Sequence, residues 1–170
     1  MEHGSNLKAQ DETQSTPLHM ASSSGIPELA QLLIEKGADI NETDRRHRTP
    51  LHMASSRVSA ETTFLSIWLR TDVNWQEVWQ GPATYYPVEA DAIADTMRLL
   101  IDHGANVVAQ DETHSTPLHL AAFWCNIEGV RLLIEHGADV TAPDGNYRTP
   151  LHLALSRVSF EADNLYFSIG

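Results

Sequence analysis

The sequence contains a single cysteine, Cys125, in 170 residues. No disulfide can close within the chain and no paired CxxC exists, which points to a reducing compartment, cytoplasmic or nuclear. The lone thiol reads as a small buried residue, since free cysteine usually packs as a small apolar side chain. Long apolar runs are missing too. None approaches the ~20 residues a membrane span needs, and the opening MEHGSNLKAQDETQ has no apolar signal core. Positive charge is scarce, with Lys+Arg 11 against Asp+Glu 23 and a net charge of -12. That balance disfavours nucleic acid and anionic membrane as partners, because both bind through a basic surface. The chain has no GxSxG, no phosphate-binding glycine loop and no HExxH. No cofactor, metal or catalytic residue is therefore expected.

What is present is repetition. At 42% hydrophobic the chain can bury a core. TPLH begins at Thr16, Thr49, Thr116 and Thr149, at spacings of 33, 67 and 33 residues. Met or Leu and then Ala follow each copy. LLIEKGADI at Leu32, LLIDHGANV at Leu99 and LLIEHGADV at Leu132 form a second series. Thr-Pro opens a helix, since Thr can cap free N–H groups and Pro is tolerated in the first turn. Gly37, Gly104 and Gly137 stand where a left-handed helix cap is wanted. The polar stretch between, such as NETDRRHR, has the composition of a turn-rich finger.

A period of 33 with T-P-L-H-x-A resembles the ankyrin repeat family, over essentially the whole chain. The resemblance implies an all-α solenoid of stacked helix-turn-helix units joined by finger loops. The 67-residue gap has the length of two repeats. Aligning Thr71-Asp72-Val73-Asn74 with Ala38-Asp39-Ile40-Asn41 favours a degenerate repeat there. The expected division of the single domain, residues 1–170, is then five repeats: 16–48, 49–82, 83–115, 116–148 and a truncated 149–170. The third carries ATYYPV in place of TPLHMA, with Pro87 inside its first helix. The alternative is an excursion loop over residues 71–90. Residues 9–61 and 109–161 are copies of one block, which suggests a duplicated unit of three repeats. RTPLHMASSRVSAE at Arg48 and RTPLHLALSRVSFE at Arg148 belong to it.

Nine histidines invite a metal reading. Four belong to TPLH, where the resemblance implies hydrogen bonds between neighbouring repeats. Equivalent residues of a stack lie about 10 Å apart, too far to share one zinc with bonds near ~2 Å. His103 and His136, beside the cap glycines, complement the helix dipole. Asp11, Asp44, Asp111 and Asp144 recur once per finger and fit Asx-type turn bonds.

The resemblance also implies a concave binding face made of finger tips and first helices. Its positions fall on Glu12, Thr13 and Ser15; on Arg45, Arg46 and Arg48; on Glu112, Thr113 and Ser115; and on Gly145, Asn146 and Arg148. On the first helices they fall on Ser23 and Ser24, Ser56 and Arg57, Phe123 and Trp124, Ser156 and Arg157. Six of the 11 basic residues, Arg45, Arg46, Arg48, Arg57, Arg148 and Arg157, gather on this face. Arginine binds carboxylate or phosphate bidentately. The competing reading pairs these arginines with the fingers' own aspartates. Trp75, Trp79, Tyr85, Tyr86, Phe123 and Trp124 supply aromatic anchors of the kind that dominate binding hot spots. The favoured reading is a non-enzymatic scaffold that binds a protein or peptide with acidic groups beside an apolar anchor. The alternative is a pocket for a small molecule such as an aromatic carboxylate, with or without catalysis. A third reading, from the apolar Phe160, Leu165, Tyr166, Phe167 and Ile169, is end-to-end self-association.

Overall fold

The computed structural model describes residues 7–56 and 90–156. Thr16, Thr49 and Thr116 have extended backbone, near φ -85 and ψ 166 at Thr16, and the proline after each TPLH threonine is the first residue of a helix. The helices so opened are α1 (Pro17–Ser24), α3 (Pro50–Ser55), α5 (Pro117–Phe123) and α7 (residues 150–156). Second helices are α2 (Pro27–Glu35), α4 (Ala90–Asp102) and α6 (Ile127–Glu135). Among the described residues there is no strand. Gly37, Gly104 and Gly137 end the second helices at φ +91, +90 and +86. Each left-handed turn lets the next N–H reach back, as Ala38 N–H does to the Leu33 carbonyl at 2.9 Å.

The TPLH histidine joins one unit to the next. His19, His52 and His119 are wholly buried. Thr49 N–H donates to His52 Nδ1 at 3.1 Å, and Thr49 Oγ1 lies 2.9 Å from the same nitrogen. The ring thereby satisfies an orphan donor at the helix start, as the acidic half of a capping box usually does. Because Nδ1 accepts, Nε2 carries the proton and donates it across the repeat boundary. Its acceptors are the Arg48 carbonyl for His19 at 2.9 Å, Ser115 for His52 at 3.2 Å, and Arg148 for His119 at 3.1 Å. The inter-repeat bonds implied by the family are thus present.

The middle bond corrects the expected order of repeats. His52 reaches the finger that precedes Thr116, as His19 reaches the finger that precedes Thr49. Glu112 N–H donates to the Arg46 carbonyl at 2.9 Å, and Asn106 N–H to Asn41 Oδ1 at 2.8 Å. The unit opened by α3 therefore sits directly against the unit opened by α5, with no separate repeat over 83–115 between them. α4 is the second helix of the repeat that α3 begins, and residues 57–89 are interposed between the two. Within the described residues, the hundred-residue period contains two stacked units. The Asp72-Val73-Asn74 alignment and Pro87 lie outside the described residues.

Leu18, Leu51 and Leu118 from the first helices and Met97, Leu100 and Leu133 from the second form a continuous buried spine. Each such side chain contributes about 1.5–3 kcal/mol by leaving water. Two positions in this core set up internal controls. Ser22 Oγ is buried with no hydrogen-bond partner, and its counterpart in the third unit is Ala122. Ser22→Ala is expected to raise stability by about 1 kcal/mol, read as a higher midpoint in urea. Asn126 caps α6 by accepting from Gly129 N–H at 2.9 Å, and a Cβ on Gly129 would stand 2.7 Å from Asn126 Nδ2. Gly129→Ala should therefore lower stability by about 1–3 kcal/mol, although helix propensity alone favours alanine. A gain in the denaturation midpoint would contradict this.

Candidate protein-binding face

The fingers are built on the periodic aspartates. In each, one carboxylate oxygen accepts two backbone N–H groups: Asp11 from Thr13 and Ser15, Asp44 from Arg46 and Arg48. Asp111 and Asp144 repeat the pattern at 2.8–3.0 Å. These are the Asx-type bonds expected from the spacing.

The second carboxylate oxygen separates two kinds of finger. Asp44 Oδ2 accepts from Arg48 Nε at 2.9 Å and Nη2 at 2.7 Å. Asp144 Oδ2 accepts from Arg148 Nε at 2.9 Å, with Nη2 at 2.8 Å. Both aspartates are buried, which alone would push their pKa values up. The facing guanidinium and the backbone N–H groups more than offset this and hold both below the free value of 3.8. In the other two fingers serine replaces arginine. There Thr13 and Thr113 hydroxyls donate to Asp11 and Asp111 at 2.7 Å and meet Ser15 and Ser115 Oγ at 2.9 and 3.0 Å. At Asp11 the Thr13 hydroxyl, then the Ser15 N–H, lowers the carboxyl below 3.8.

Arg48 and Arg148 are thus structural cations, each neutralising a buried aspartate of its own finger. For these two arginines the pairing with their own fingers' aspartates, the competing reading of the sequence, is present. Arg46 lies 3.6 Å from Glu112 of the adjacent finger, an exposed pair of the kind worth under about 1 kcal/mol. Arg45 is exposed and makes no ion pair among the described residues. Phe123 and Trp124 are half-buried at the end of α5 and meet edge to face, with ring centroids 5.2 Å apart. Arg57, Trp75, Trp79, Tyr85, Tyr86 and Arg157 lie outside the described residues, and with them the proposed aromatic pocket. Ser56 and Ser156 spend their hydroxyls on carbonyls of their own helices at 2.9 and 2.8 Å.

Two features were not anticipated from sequence. Gln14, His47, His114 and Tyr147 occupy left-handed backbone at φ 59–62, one at each fingertip, all exposed. Cys125 is only partly buried and also left-handed, at φ 55, where the first unit has Gly25 at φ 61. It is a helix cap rather than a core residue. The only sequence cue was its offset of one hundred from that glycine. The histidines beside the second-helix caps turn back onto their own helices. His103 and His136 Nδ1 lie 2.8 Å from the Leu99 and Leu132 carbonyls. Among the described residues no three potential metal ligands come together, and no helix is long and apolar enough to cross a membrane.

Stacked helix pairs, joined by fingers and locked by TPLH histidines, define an ankyrin-type solenoid. The family model for ankyrin repeats matches residues 1–74, 59–144 and 95–162, and the chain belongs to that family. No curated protein matches it. Ankyrin repeats generally mediate protein–protein interaction.

Proposed function

We propose that the chain is a binding module for another protein. The partner places an acidic group at Arg45 and an apolar side chain at the Phe123–Trp124 pair. The observation that carries this reading is the division of labour among the finger arginines. Arg48 and Arg148 are held by Asp44 and Asp144, whereas Arg45 stands exposed with no ion pair among the described residues. An exposed guanidinium retains its full capacity for a bidentate carboxylate bond. The half-buried aromatic pair offers an anchor of the type enriched in hot spots. The neighbouring tips carry Glu12 and Glu112, so the acidic group of the partner must register on the second finger and not beside it.

The reading is tested by selecting binders from a displayed random-peptide library. Selected peptides should carry Asp or Glu near an aromatic or large aliphatic residue. Arg45→Glu and Trp124→Ala should each weaken the best peptide about tenfold or more, as one lost hot spot does. Their melting temperatures should stay close to the parent value. Binders indifferent to both substitutions would exclude this face.

A further inference from the structure

At each end of the described stack, side chains are exposed at positions that other units cover. In the first three units the TPLH leucine and histidine are buried by the unit that follows. In α7 the same positions, Leu151 and His152, are exposed, Leu151 at 66%. Leu155 beside them is exposed as well, where Ser22, Ser55 and Ala122 are buried. His152 keeps its bonds to Thr149, at 3.2 and 2.8 Å, but its Nε2 has no carbonyl partner among the described residues. At the other end Met20, Ile26, Leu29 and Leu32 are exposed, Met20 at 54%. Of their counterparts elsewhere in the stack, Met53 and Leu120 are half-buried, and Ile93 and Leu132 are buried.

Both halves of an internal junction are duplicated at these ends. Residues 48–59 and 148–159 differ only at Met53/Leu153 and Ser55/Leu155. Residues 9–18 and 109–118 differ only at Gln14/His114. Inside the chain, residues 48–56 receive residues 109–118 through His52 to Ser115, and the backbone carbonyl of Arg46, at the position of Asn146, accepts from Glu112 N–H. Among the described residues the Ser15 carbonyl accepts only from Asp11 of the same finger, whereas the equivalent carbonyls each take a histidine as well.

We infer that the chain associates head to tail with a second copy of itself: α7 of one copy receives the first finger and α1 of the next. His152 Nε2 donates to the Ser15 carbonyl of the second copy, and Glu12 N–H of that copy donates to the Asn146 carbonyl. Leu151 and Leu155 cover Met20. The contact is heterologous, so it extends into chains of copies rather than closing as a twofold dimer.

The test uses end-blocked variants of the full chain. Leu151→Glu blocks the tail and Met20→Glu blocks the head. Both side chains are exposed, so circular dichroism melts should match the parent. By sedimentation equilibrium, the parent mass is expected to rise with concentration. Each variant alone should stay monomeric, and an equimolar mixture should double in mass and stop there. In a Cys125→Ser background, Glu12→Cys should cross-link to Asn146→Cys supplied on a separate chain. The internal pair Arg46→Cys with Glu112→Cys is the positive control for that geometry. A parent that stays monomeric up to millimolar concentration overturns the inference. So does a blocked variant that dimerises alone, or a mixed pair that fails to cross-link while the control succeeds.

Discussion

Arg48→Ser lowers stability by about 2–3 kcal/mol, and adding Arg46→Thr restores most of it. The single change leaves Asp44 with its side chain 1% exposed and its guanidinium gone. Removing one partner of a buried pair typically costs about 3–5 kcal/mol. The lower figure applies here because Arg48 is partly exposed and two backbone N–H groups still satisfy one oxygen of Asp44. The double change converts DRRHR into the pattern of DETQS, in which a threonine hydroxyl donates to the aspartate and a serine completes the network. Urea denaturation of parent, single and double variants reads the result directly. Equal losses in the single and double variants would show that the finger types are not interchangeable. The pair also separates folding from recognition, because Arg45 is untouched in both.

His52→Ala is expected to cost about 3 kcal/mol or more, while His152→Ala at low protein concentration costs little. The first removes a buried ring that bonds Thr49 within its helix and Ser115 across the boundary. The second removes an exposed ring. The same histidine sets a pH dependence. Burial holds His52 below the free value of 6.5, so the folded form keeps it neutral. The unfolded chain then binds the proton first, and stability falls as pH drops below 6.5 towards the folded value. Asp44 and Asp144 lie below 3.8 in the fold, so their contribution is complete above 3.8 and is lost only as pH falls beneath it. A melting curve against pH should therefore show two descending steps. His52→Ala should flatten the upper step and leave the lower one. A profile that stays flat down to pH 3.8 would mean that the histidine carries no such linkage.

The repeat family, the all-α class, the finger aspartates and the role of the TPLH histidines were legible because each depends on short-range spacing. Threonine, proline and histidine at fixed offsets describe one helix start wherever it occurs. The course of the second repeat was not legible. Thr16 precedes Leu32 by 16 residues and Thr116 precedes Leu132 by 16, but Thr49 precedes Leu99 by 50. The excess nearly equals one repeat, so length could not distinguish an interposed segment from another unit. Only a bond between His52 and Ser115 does, and a contact that distant in sequence leaves no local pattern. The arginines posed a similar ambiguity. Arg48 and Arg45 are the same residue type in one finger, and their separate fates depend on which one faces Asp44. The position four residues after the aspartate was the available cue, repeated at Asp144 and Arg148.

The left-handed tips have a consequence for labelling the molecule. Gln14, His47, His114 and Tyr147 occupy a backbone conformation that glycine adopts freely and other residues hold at about 1–2 kcal/mol. Their side chains are exposed, so the identity of each tip is decoupled from the packing beneath it. Successive tips are separated by one packed helix, about 8–10 Å. Spin labels or fluorophores attached there would sit along a built-in ruler, and any bending or stretching of the solenoid would be read out as a change in the spacing of its graduations.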